Sequence, residues 1–255
     1  MAAVNYLLDS LLAGIIILAA GLLPWLITAV LFQLASNSIR KSMARLLGDR
    51  AYIYLTAPGV AVHELSHAVF CLVFGHKIDE MKLFSPENDG TLGYVSHSYD
   101  PKNYYQRAGN FFIGTGPIWG GLFILYLFSK LLLPETMLPF SSGIGENVSA
   151  FVSGFFSAST WTDWKFCIWL YIALTVGSHI TLSKPDLSGA KDGLLMLCGA
   201  VMIGCLVLGW CGDWETTLAG WLKDFFLGQL ALIGTIFCLL ILFSLILKLI
   251  PFKRN

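Results

Sequence analysis

His63, Glu64 and His67 stand inside the apolar run GVAVHELSHAVFCLVFGH, residues 59–76. Burying imidazoles and a carboxylate in such surroundings is costly unless they are paired or bound to something. On a helix, positions i and i+4 share a face, so His63 and His67 can grip one metal ion together. Glu64 projects about 100° away from His63, near enough to take a proton from water at the metal without ligating it. Two imidazoles on a zinc ion with a carboxylate as general base is the chemistry of an H-E-x-x-H helix.

Catalytic zinc takes three protein ligands and keeps one position open. A third histidine six residues after His67 is excluded, because Val73 stands there. The polar connection SKPDLSGAKDG, residues 183–193, follows two further apolar stretches and so returns to the membrane face where the HELSH helix ends. The histidines lie 12 and 8 residues before Gly75, or about 18 and 12 Å deep at about 1.5 Å per residue. A loop dipping inward brings a ligand to that layer. Asp186 leads the candidates, followed by Asp192 and His179; the same S-x-x-D pattern at Asp186 also reads as a helix cap, and His179 also suits a partner that orients a ligand.

The elements that position these groups are apolar. The 255 residues are 56% hydrophobic and only 13% charged, about half the charge of a soluble domain, and the net charge of zero excludes a nucleic-acid footprint. Apolar stretches at 6–35, 51–75, 109–133, 166–182, 193–210 and 226–250 predict an all-α polytopic membrane protein of about six transmembrane helices. A kink is expected at Pro24, and the basic stretch RKSMARLLGDR reads as an interfacial piece. Residues 76–108 are polar, and KIDEMKLFS and TLGYVSHS alternate around the turn signal PENDG, predicting a small β-hairpin at the membrane surface after the HExxH helix. The stretch ENVSAFVSGFFSAST reads as an interfacial or re-entrant helix. The whole chain, 1–255, reads as one integral membrane domain, with a core at 50–210 and accessory helices at 1–49 and 211–255.

The first basic residue is Arg40, so the leading apolar stretch is expected to be a retained helix and no cleaved signal. Lysines and arginines favour a cytoplasmic hairpin, although Arg40, Lys41, Arg45 and Arg50 weigh the other way. The six cysteines form no CxxC pair and read as small buried hydrophobes. Trp161, Trp164, Trp210, Trp214 and Trp221 fall near span ends, as an interfacial belt requires. His76 follows Gly75 at a helix end, a structural position, and His97 is expected at the surface of the hairpin.

The H-E-x-x-H within a membrane helix, the surface hairpin and GTGP (Gly114–Pro117) opening the next span resemble the site-2 protease family of intramembrane zinc metalloproteases. The resemblance covers about residues 50–210. Where the family commonly carries asparagine after this Gly-Pro, the chain has Gly120. Of the family's second motif, an Asn- and Pro-containing segment ending in Asp-Gly, Asp192-Gly193 matches the closing dipeptide literally, while Asp186 better matches a Pro-flanked aspartate at a helix entry. No PDZ or CBS module is found. The resemblance implies one catalytic Zn2+ and hydrolysis of peptide bonds in or near transmembrane segments of membrane-protein or peptide substrates. It also implies a multi-pass protein lying in lipid, most simply a prokaryotic cytoplasmic membrane. Glu64 would pass a proton from water to the leaving amine. The strand edge at Gly93, Tyr94 and Val95 would hold an unwound substrate by strand addition. A non-proteolytic membrane binding protein and an ion transporter on the same scaffold are the alternatives.

Overall fold

Prolines and glycines decide where the helices break. A computed structural model of the chain describes residues 2–87, 90–134, 136–137, 144–208 and 233–251. The first helix, α1, runs over Ala2–Leu47 and continues through Pro24. It also takes in most of the basic stretch expected to be a separate interfacial piece, because no breaker occurs until Gly48, whose φ is +84°. Pro58 removes a backbone donor and crowds the preceding turn. The HELSH region is accordingly two helices, α2 (Asp49–Leu55) and α3 (Ala57–Val73), bent by 58°. Thr56 sits at the break, its hydroxyl donating to the Tyr52 carbonyl at 3.0 Å.

Gly75 ends the α3 region with φ +69°, and the His76 N–H reaches back to the Cys71 carbonyl at 2.8 Å. A left-handed glycine with a six-to-one bond is a Schellman stop. The chain turns there into a two-stranded antiparallel sheet, β1 (Lys77–Lys82) and β2 (Tyr94–Ser98). Lys77 pairs with Ser98 and Lys82 with Tyr94, with an irregularity between Ile78 and Glu80. The strands are shorter than the alternating stretches that announced them.

A second bent pair follows. Asn103 caps α4 (Tyr104–Gly114) by accepting from the Tyr105 and Gln106 N–H groups. Pro117 then opens α5 (Gly116–Leu132), set at 59° to α4. Beyond them come α6 (Ile144–Phe155), α7 (Ala158–Thr162), α8 (Trp164–Gly177), α9 (Lys184–Leu208) and α10 (Ile233–Leu249). The expected interfacial helix at 146–160 is thus broken into α6 and α7.

The fold is mostly helical with one small sheet, and the described residues account for fewer than the six expected spans. Two described helices, α1 and α9, are long and apolar enough to cross a membrane, and the bent pairs raise the number to four. At 14 residues, α8 is only about 21 Å long, against a hydrocarbon core of about 30 Å. It starts under its Asp163 cap, two residues before the expected stretch, but ends early at Gly177, after which the chain is irregular to residue 183. The sixth expected span begins outside the described residues, as do Trp210, Trp214 and Trp221. Trp161 and Trp164 are exposed.

Helices α1, α5, α8 and α10 bury a common core that includes Phe32, Leu125, Trp169 and Ile236. The Trp169 indole N–H is satisfied by the Ser129 hydroxyl at 2.8 Å. Outward-facing apolar side chains such as Ile15, Val30, Leu195 and Ile203 are more than half exposed, a surface suited to lipid. The HELSH helix α3 lies against α4, α5 and α8, so its polar residues face protein.

Candidate metal centre

Hydrogen bonds on the outer nitrogens set the chemistry of the inner ones. His63 Nδ1 lies 3.0 Å from the His179 carbonyl, and His67 Nδ1 lies 2.7 Å from the Ile113 carbonyl. Carbonyls only accept, so both Nδ1 atoms carry the proton and the neutral rings present bare Nε2 lone pairs. These two Nε2 atoms are 3.3 Å apart. Asp186 completes the group, with Oδ1 at 3.3 Å from His67 Nε2 and Oδ2 at 3.8 Å from His63 Nε2. Three acceptors therefore converge with no neutral-state proton between them, an arrangement that a cation resolves. Two ligands about 2.0–2.1 Å from a tetrahedral ion stand about 3.3 Å apart, the separation found on two of the edges. His63, His67 and Asp186 could hold a metal ion, and the N,N,O donor set fits zinc among other divalent metals.

Close backbone approach makes this meeting possible. A Cβ on Gly59 would collide with the Thr175 carbonyl and come within 2.7 Å of His179 Nδ1. The missing side chain lets α8 press on α3 and delivers the His179 carbonyl to His63. A Cβ on Gly114 would collide with the Asp186 carbonyl. That gap brings the first turn of α9 against α4 and carries Asp186 toward the histidines. Asp186 is also a helix cap: its Oδ2 accepts from the Ser183 N–H at 2.7 Å, and its own N–H donates to Ser183 Oγ at 3.2 Å. Capping and ligation coexist because the carboxylate has lone pairs to spare.

Glu64 lies beside the group and outside it. It is 8% exposed and has no hydrogen-bond partner among the described residues. A Cβ on Gly93 would come within 2.8 Å of Glu64 Cγ, so the hairpin lies directly over this carboxylate. Both line a cavity of about 830 Å³ shared with the three clustered residues. Tyr94 and Val95 line it as well.

The other expected ligands are engaged elsewhere. Asp192 borders the cavity, yet both its carboxylate oxygens pair with Arg107, at 2.7 and 3.1 Å. The His179 ring turns to the Thr175 carbonyl at 2.9 Å, and its main chain holds His63. His97, expected at the surface, is half-buried and faces the cavity. His76 is buried and donates from Nε2 to the Gln106 carbonyl at 2.8 Å, which leaves its Nδ1 to accept from His97 Nδ1 at 3.0 Å. The His97 Nε2 is then bare, as in the two clustered histidines. Burial, with His76 and His67 nearby, holds the His97 imidazole below its ordinary pKa, against a smaller opposing effect of Asp79.

Sequence reasoning passed over Asn110 and Gly59, and met Gly114 only as the first residue of GTGP. Asn110 is 6% exposed and lines the cavity. Its signal was available, a carboxamide within the apolar run GNFFIGTGP. No family model, no curated protein and no solved structure matches the chain.

Proposed function

We propose that the chain is an intramembrane zinc endopeptidase, hydrolysing peptide bonds in or near transmembrane segments, as its resemblance to the site-2 protease family implies. One observation carries the reading: two bare imidazole nitrogens and a carboxylate oxygen converge at the wall of a roomy cavity, with an unpartnered glutamate alongside. A purely structural site has no use for that glutamate. On this reading α1, the two bent pairs and α9 cross the bilayer, making the protein multi-pass.

His63, His67 and Asp186 would hold the zinc. When bound, zinc supplies Lewis acidity, which makes water a nucleophile near neutral pH and polarises a carbonyl. Carbonyls of His179 and Ile113 keep the two imidazoles in the ligating tautomer. Glu64 takes the proton of the attacking water and delivers it to the departing amine nitrogen. Its place beneath Gly93 keeps the carboxylate inside the cavity and away from bulk water. A helical substrate hides its carbonyls, so it must open locally, and Gly93 with the start of the β2 edge at Tyr94 and Val95 offers main-chain groups to an extended segment.

The test is cleavage of a membrane-inserted peptide by purified protein and by Glu64→Gln. Loss of cleavage with full zinc content supports the reading. Cleavage by Glu64→Gln at the wild-type rate contradicts it. Ion flux in sealed vesicles without any peptide product would favour a transporter instead.

A further inference from the structure

Among the described residues the Asn110 side chain has no hydrogen-bond partner, although it is only 6% exposed. No polar side-chain atom among the described residues is both sealed and unbonded. The Asn110 amide therefore reaches accessible space, and the space it borders is the cavity beside the metal group. An amide in this position bonds only to what enters the cavity. Leaving it unbonded is costly, and a fold selected for stability alone would place an apolar residue there.

Its neighbours on α4 give the amide an address. One turn before it, the Gln106 carbonyl anchors His76 and through it His97 of the hairpin. Three residues after it, the Ile113 carbonyl anchors His67. Seven residues of helix rise about 10 Å, the length of about three extended residues. Asn110 thus stands between the hairpin and the metal group, along the path of a chain laid from one to the other.

We propose that Asn110 is a substrate-binding residue whose carboxamide pairs with one peptide group of the segment entering the cavity. A carboxamide carries one acceptor and a pair of donors, complementary to the N–H and C=O that a helix frees when it opens. In lipid those groups have no water to turn to. This inference rests on the peptidase reading and adds to it the residue that receives the opened backbone.

The experiment compares wild type, Asn110→Leu and Asn110→Asp on a membrane-inserted peptide, with zinc content and thermal stability measured in parallel. Because the amide has no partner among the described residues, Asn110→Leu is expected to keep its zinc and its melting temperature. Its KM should rise roughly tenfold or more, with kcat changed far less. Replacing single substrate amides by esters should find one position where removing the N–H costs wild type but not Asn110→Leu. Full activity of a folded, zinc-loaded Asn110→Leu, or equal ester sensitivity at every position, overturns the proposal. If wild type cleaves nothing, the peptidase reading falls. Binding of a labelled peptide to Glu64→Gln protein, with and without Asn110→Leu, then decides the role of Asn110: unchanged or absent binding overturns it, and weaker binding by roughly tenfold supports it. Should Asn110→Leu fail to fold, Asn110→Asp, which keeps the shape and loses the donor, carries the same comparison.

Discussion

Gly114→Ala tests how Asp186 is brought to the histidines without touching any metal-binding side chain. The new Cβ would lie 2.9 Å from Ala190 Cβ and 3.0 Å from the Ala190 nitrogen, and it would overlap the Asp186 carbonyl outright. Ordinary contact begins near 3.4 Å, so the first turn of α9 must retreat by about 1 Å at Asp186, at an overpacking cost of about 1–3 kcal/mol. Moving Asp186 Oδ1 by that amount from its 3.3 Å separation to His67 Nε2 leaves the two atoms about 4.3 Å apart. Ligands bound at about 2.0–2.1 Å cannot be separated that far even on opposite sides of one ion. Zinc affinity, measured by competition with a chromophoric chelator, should fall at least about tenfold. Gly189→Ala, on the same helix with open space around its position, should bind zinc as wild type does. If Gly114→Ala keeps wild-type affinity, the α4–α9 contact does not position Asp186 and the reasoning is wrong.

The two aspartates of the 183–193 connection should separate cleanly. Asp186→Asn should weaken zinc binding by about tenfold or more, whereas Asp192→Asn, which loses only the half-exposed Arg107 pair, should keep its metal and lose under about 1 kcal/mol of stability. Equal loss of zinc in both would refute the assignment. His97 sets a pH dependence in the hairpin: burial depresses its pKa below the ordinary 6.5, so the unfolded segment binds more protons. Stability is therefore present above pH 6.5 and is lost as pH falls through the folded value. Hydrogen-exchange protection factors of the β1–β2 amides, referred to the intrinsic rate at each pH, should fall on acidification in wild type and much less in His97→Gln; identical profiles would dismiss the effect.

Much of the site was legible because its residues violate their surroundings. His63, Glu64 and His67 interrupt an apolar helix at a spacing that leaves few alternatives, and Asp186 announces itself beside Pro185 at a helix entry. The hairpin was legible from alternation and from the turn residues between its strands. Helix boundaries were not, because hydropathy averages over a break. Pro58 and Pro117 divide two apolar stretches into bent pairs while leaving the stretches apolar throughout. The fourth expected span fell short for the same reason, since composition does not reveal that α8 ends at Gly177, and the sixth begins outside the described residues. Asn110 was visible as a carboxamide in an apolar run, but that it lacks a partner among the described residues shows only in the structure. Which of Asp186, Asp192 and His179 meets the histidines also lay beyond sequence. It turns on where Gly114 lets two backbones touch, and on Arg107 claiming Asp192 from another element.

X-ray absorption at the zinc edge, on protein purified without chelators and loaded with one equivalent of zinc, tests the central claim most directly. Two imidazole nitrogens at about 2.0–2.1 Å and one or two oxygens at about 2.0–2.2 Å are expected, with the imidazole signal lost from His63→Ala,His67→Ala. Sulfur scattering, a shell of water alone, or a protein that retains no zinc would contradict it.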